Sequence, residues 1–422
     1  MSKQFRVGVM YDGLSLPPKD GVTYRVYHVL KRLSARTDVD IRIYLTDRGW
    51  MPYERILQEG FDCKIFPADW LFKSPEKIAA ILIEDKIDIL HILNSHSLIP
   101  FFGFELAKLA NTKLVCDMHD VDYHLYTTLG KNIETIEEAK ELQKIVGEAC
   151  SHIFVMSSFD IPMLHQIGIA QEKITYSPNG VDIYEGDVQK KASKEILFIG
   201  NMNYEPNKEA VESLINEIAP KVLAEHQDAR FIIIGRASSE LNTHSSHRIQ
   251  FLGEVDNITP YLLNATIGIA PLKSGSGMKV KMLTYASHAL PVLGTPTALM
   301  GYNENPGFIV ENDIPSVTCR LIELLKDPQS LPTRGQSGRA YAREYFSWDS
   351  IIRNIASQYD RIFLDDRKAF IPEVKRDGDK VCIGTRSYPL PMFMQEKRFS
   401  NSTPIQEACV SLRGTQRRDT AS

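Results

Sequence analysis

The chain has 422 residues, 43% hydrophobic and 24% charged, which is too long for one compact core and points to a globular protein of two domains. A net charge of -4, with the basic residues spread along the chain, excludes a polyanion-binding surface such as a nucleic-acid footprint, so any positive site must be local. Six cysteines without a CxxC pair argue against a zinc site and against a disulfide framework, and suit a reducing, cytoplasmic setting.

The N-terminus, MSKQFRVGVMYDGLS, runs straight into a strand-like segment, so no signal peptide is expected. No window is apolar over the length needed to span a bilayer, and membrane contact is expected to be peripheral at most. In chain order, short apolar runs at 5–11, 40–45, 87–93, 113–118, 152–156 and 173–178 alternate with helical patterns. Continuous rather than alternating hydrophobicity predicts strands buried on both faces, as in a parallel sheet covered by helices. Runs at 195–200, 230–235, 249–253, 267–272 and 290–295 repeat the pattern, which predicts two doubly wound α/β domains in tandem with a cleft between them. The expected division is 1–190, 191–346, a helix over 347–366 with Ser347 as N-cap, and a polar tail over 367–422 read as mostly disordered, although KVCIGTRSYPLPMF suits docking.

Three stretches carry candidate chemistry. Gly21 precedes a helix whose Val26, Val29, Leu30 and Leu33 form an apolar stripe, which places a helix N-terminus at the ligand-gathering edge of the sheet. The basic Arg25, His28, Lys31, Arg32 and Arg36 on that helix read as a solvated outer face. In VCDMHDVDYHLY, His119 follows a strand directly and can hydrogen-bond a sugar hydroxyl or stabilise charge. Asp120 and Asp122 form a DxD, but such pairs arise by chance and aspartates commonly cap helices, so this one is read as structural. His91 and His96 are read as structural as well.

The third stretch is SGSGMKVKMLTYASHALPVLGTP, residues 274–296. A helix starting at Lys279 places Lys281, Thr284, Tyr285 and His288 on one face and Met282, Leu283, Ala286, Ala289 and Leu290 on the other. With the flexible turn before it, this is a cradle for a diphosphate: turn amides, a helix N-terminus, Lys281 and Lys279. Taken alone, the stretch suits a surface helix with solvated lysines equally well.

The order of motifs resembles the GT-B glycosyltransferases, in particular the large retaining family with bacterial mannosyl-, glucosyl- and N-acetylglucosaminyltransferases. YSPNGVDIY is similar to its interdomain PNGVD, ILFIGNMNYEPNKEAVESLINEIAPKVLAEHQDARFIIIGR to its second-domain opening, and IQFLGEVDNITPYLLNATIGIAPLKSGSGMKVKMLTYASHALPVLGTPTALMGY to its nucleotide-sugar core. The resemblance implies a Rossmann-like fold in both domains and transfer of a sugar from a UDP- or GDP-sugar with retention, without a cofactor or an obligatory metal. It implies an acceptor that is a glycan, a lipid-linked sugar or a small molecule. It assigns His119 and Lys281 to catalysis and Gly21, Asn201, Arg236, Ser276, Gly277, Met278, Lys279 and Thr284 to the donor.

The departures from the family pattern are specific. Two glutamates common eight residues apart are replaced by Ser276 and Thr284. The second normally accepts from ribose hydroxyls, and a neutral hydroxyl there gives up about 1–3 kcal/mol. Asn201 stands where an arginine is common, the usual lysine a few residues on corresponds to Lys208 or is absent, and Met300 replaces an acid. These changes keep two alternatives open, a noncatalytic partner or scaffold and a sugar-nucleotide epimerase on the same fold.

Overall fold

The computed structural model describes residues 5–18, 21–49, 51–93, 102–128, 130–188, 193–236, 245–275, 278–367, 369–377, 380–383, 386–389 and 410–412. It divides into two compact units, 1–178 together with 352–422, and 179–351.

The first unit is built on β1 (Arg6–Tyr11), β2 (Asp40–Asp47), β3 (Cys63–Pro67), β4 (Ile89–Leu93), β5 (Lys113–Met118), β6 (His152–Val155) and β7 (Ile174–Tyr176). They run parallel in the order β3-β2-β1-β4-β5-β6-β7. Val9 pairs with Ile43 on one side and His91 on the other, so the central strand is flanked by strands on both edges and covered on both faces. This is why its sequence is continuously apolar: Val7, Val9 and Met10 are all buried, and each large apolar side chain so buried stabilises the fold by about 1.5–3 kcal/mol.

The second unit repeats the arrangement with β8 (Glu195–Ile199), β9 (Arg230–Ile234), β10 (Ile249–Gly253), β11 (Ile267–Ala270), β12 (Val292–Gly294) and β13 (Phe308–Val310), ordered β10-β9-β8-β11-β12-β13. In both sheets the order reverses beside the first strand, between β1 and β4 and between β8 and β11. Ligands of open α/β sheets bind at the carboxyl ends of the strands at such reversals. One close approach shapes that edge in the second unit. Gly235 has φ 130°, and a Cβ on it would stand 1.9 Å from the Gly200 carbonyl oxygen, so the ends of β8 and β9 meet backbone to backbone.

Helix Trp348–Leu364 begins in the second unit and ends in the first. Ser347 Oγ accepts from the Ser350 N–H, and the helix buries Ile351, Ile352, Ile355, Tyr359 and Ile362. The described residues of the tail include short strands, in and around the stretch that suited docking. Strands β14 (Val374–Asp377), β15 (Lys380–Ile383) and β16 (Arg386–Pro389) form an antiparallel sheet, and β17 (Val410–Leu412) pairs antiparallel with β3. Val381, Ile383 and Tyr388 join the first unit's core. Each run is too short to show its period of two in the sequence, and the burial comes from packing against a core formed far upstream.

Candidate functional site

In the second unit, the glycine-rich loop after β11 leads into the helix Val280–Ser287. Ser276 and Gly277 lie outside the described residues. The helix starts one residue later than the periodicity predicts, because Lys279 takes the N-cap position with φ -93° and ψ 98°. The Lys279 side chain makes no capping hydrogen bond and the first turn carries no acidic residue, so the positive end of the helix suits an anion. Tyr285, placed by the sequence at the border of two faces, is fully buried, and the Ile199 N–H donates to its Oη at 2.8 Å.

Lys281 is the centre of this arrangement. Its ammonium donates to Asn207 Oδ1 at 2.5 Å and stands 4.4 Å over the Phe198 ring. Asn207 Nδ2 in turn donates to the Asn201 carbonyl at 2.9 Å, so the loop after β8 holds the amide that holds the lysine. A Cβ on Gly200 would come within 3.1 Å of Lys281 Nζ, so glycine there leaves the ammonium its room. Among the described residues no carboxylate pairs with Lys281. Burial, and secondarily the charge of Lys279, pulls its pKa down to about 7. Burial also lowers the pKa of Lys279. A cation so deprived of countercharge gains on meeting a phosphate.

The remaining donor candidates are arranged less uniformly. Asn201 is exposed, with Oδ1 accepting from the Asn203 N–H at 3.0 Å. Arg236 pairs with Glu254 at 3.0 Å, both exposed, and its carbonyl accepts from the Met202 N–H. Met278 packs beneath Gly301, where a Cβ would meet its Cγ at 2.6 Å. Thr284 donates weakly to the Val280 carbonyl at 3.4 Å, the back-bond of a helical threonine. Met300 is exposed.

In the first unit, Gly21 opens the helix Gly21–Ser34, and a Cβ there would meet nothing within 4 Å. The reading of Arg25 and His28 as a solvated face is wrong, since both are buried. Arg25 donates from Nε to Asp117 Oδ2 and from a terminal nitrogen to Oδ1, each at 2.8 Å, and also to the Pro178 carbonyl and Ser177 Oγ. Burial alone would raise the Asp117 carboxyl, but Arg25 and His119 hold it far below the usual carboxylate range. His119 lies just past β5, fully buried, with Nε2 3.5 Å from Asp117 Oδ2. His91 donates or accepts at Nδ1 with Tyr359 Oη at 2.7 Å and is structural, while His96 lies outside the described residues. Among the described residues no cluster of three or more His, Cys, Asp or Glu is placed to hold a metal ion.

Sequence reasoning missed Asn207, Phe198, Arg25 and Asp117 as parts of these sites. One signal was available: Arg25, Val29 and Leu33 are spaced i, i+4, i+8, which puts Arg25 on the apolar stripe. The others become neighbours only through folding.

Two open parallel sheets, each reversing order at the strand ends where these groups collect, define a GT-B protein. Residues 19–185 match Glycosyltransferase Family 4 and residues 193–327 match Glycosyl transferases group 1, and the chain belongs to this family of glycosyltransferases. It is 30% identical over 154 residues to a GDP-mannose-dependent monoacylated alpha-(1-6)-phosphatidylinositol monomannoside mannosyltransferase of Corynebacterium glutamicum. That match covers 33% of this chain and 40% of the relative. Among solved structures it resembles Anabaena HepE in complex with UDP and glucose, at 13% identity and TM-score 0.61, over 84% of this chain and 99% of that one. It also resembles sucrose-phosphate synthase of Thermosynechococcus elongatus, at 14% identity and TM-score 0.61, over the same shares of the two chains. These two likenesses speak for the fold.

Proposed function

We propose that this protein transfers a sugar from a UDP- or GDP-sugar, with retention at the anomeric carbon, to a glycan, a lipid-linked sugar or a small molecule. The observation that carries this reading is Lys281: a part-buried ammonium, steadied by an amide and an aromatic face and with no carboxylate partner among the described residues, at the start of a helix that follows a glycine-bearing loop. Negative charge develops on the departing diphosphate, and a fixed cation in a poorly hydrated place stabilises it without reorganising. Lys279 adds a second positive charge. His119 hydrogen-bonds the donor sugar. No metal is required by this scheme, because lysine and helix end carry the charge. Cys116, Cys150, Cys319 and Cys382 form no disulfide among the described residues, which supports a cytoplasmic setting.

Thr284 favours a second reading, a noncatalytic relative, because its hydroxyl turns to its own helix where a ribose acceptor would be expected. Calorimetry with UDP and GDP, together with hydrolysis of UDP-glucose and GDP-mannose by the purified protein, separates the two. Binding of one nucleotide, donor turnover, and loss of both in Lys281→Ala are the expected results. No binding and no turnover, with Lys281→Ala indistinguishable from the parent, would overturn the enzyme reading.

A further inference from the structure

Beyond β5 the sugar-transfer reading uses His119 alone, yet the structure surrounds that ring with a chain of fixed groups. Asp117 lies near the end of β5 and His119 just past it. His119 Nε2 approaches Asp117 Oδ2 at 3.5 Å, with both side chains buried. Neither ring nitrogen of His119 has a hydrogen-bond partner of standard geometry among the described residues. Buried polar nitrogens are almost always paired, so an orphaned imidazole marks a place where a partner is to be supplied.

The identity of the proton-bearing nitrogen follows from Asp117. Its Oδ2 accepts from Arg25 Nε and its Oδ1 from an Arg25 terminal nitrogen, so the carboxylate is ionised and has no proton to donate. Arg25 is itself held by the Pro178 carbonyl at 2.8 Å and Ser177 Oγ at 3.1 Å. A ring nitrogen facing an ionised carboxylate is favoured as N–H, and a neutral imidazole has only one such proton.

We propose that Asp117 is a positioning residue for His119: it holds the ring as the Nε2–H tautomer and leaves Nδ1 as a hydrogen-bond acceptor for a hydroxyl of the bound sugar. The identity of that ligand rests on the nucleotide-sugar reading. Arg25 acts one step further out, fixing the carboxylate that fixes the ring. An acceptor at Nδ1 distinguishes a sugar hydroxyl from an ether or fluorine at the same carbon, neither of which can donate.

Nitrogen NMR of the full chain labelled in histidine tests the pairing without a variant, with His119→Gln identifying the signal. The expected result at neutral pH is the Nε2–H pattern for His119 and an Nδ1 signal that shifts when UDP-glucose or GDP-mannose is added. Asp117→Asn, which keeps an acceptor for Arg25, is expected to mix the tautomers and lower donor turnover roughly 10–100-fold while leaving UDP or GDP affinity unchanged. An Nδ1–H ring in the parent, or unchanged tautomer and turnover in Asp117→Asn, would overturn the proposal. If neither donor binds, the sugar-transfer reading fails on its own, and the parent's tautomer still decides whether Asp117 sets the ring.

Discussion

Arg25, buried, and Lys281, part-buried, are both cations near the carboxyl ends of parallel strands, and they are treated in opposite ways. Arg25 is saturated by two carboxylate oxygens, a carbonyl and a hydroxyl, all from its own unit. Lys281 has a neutral amide and an aromatic face, and no carboxylate among the described residues. A cation neutralised by its own chain holds the fold together, whereas one left uncompensated stores binding capacity for an anion from outside. The cost of keeping it is visible in a lysine pKa drawn down to about 7.

The contrast can be broken most forcefully at Arg25. Replacing it with leucine leaves Asp117 as a lone buried charge and is expected to cost about 3–5 kcal/mol in urea unfolding. Adding Asp117→Leu should recover most of that loss, and failure to do so would remove Arg25 from the structural class. Lys281→Met should do the reverse. Unfolding stability does not fall, because an uncompensated charge is removed, while calorimetry shows UDP or GDP binding weakened by about 1.5–3 kcal/mol. Thr284→Glu sharpens the comparison from the ligand side. It supplies the missing ribose acceptor and should tighten nucleotide binding by about 1–2 kcal/mol, and no gain in calorimetry would reject that role for position 284.

The smallest effect is on pH. The folded pKa of Lys281 lies at about 7, below the ordinary lysine value of 10.5. The penalty for its charge is therefore fully present below pH 7 and is relieved as pH rises towards the unfolded value, so unfolding stability should climb across that window and lose this slope in Lys281→Met. A bound diphosphate favours the ammonium, so above pH 7 binding takes up a proton and weakens by up to about tenfold per pH unit. Titrations at pH 6.5 and 8.5 in buffers of different ionisation heat would detect it, and identical proton uptake in Lys281→Met would refute it.

Much of the fold was legible because the central strands are uninterrupted apolar runs. Two outer strands of the parallel runs were not: CKIFP carries a lysine at its second position, and Phe308–Val310 is only three residues long. The place of Lys281 on its helix was legible because it has a fixed spacing from the glycine turn and a helix phase that can be counted. Asn207 was invisible, since it lies 74 residues from the lysine it holds. Arg25 was misread because a basic residue defaults to the surface, and its carboxylate stands 92 residues away. Local periodicity locates elements, but it carries no information on which distant charge will neutralise a given side chain.

The bond from the Ile199 N–H to Tyr285 Oη makes a reporter of a single backbone amide. The strand end and the helix that carries Lys281 are joined there, so that amide exchanges with deuterium only when the helix lifts from the sheet. Its exchange rate therefore measures the opening of the lysine platform itself, with and without nucleotide, in a protein whose acceptor need not be known.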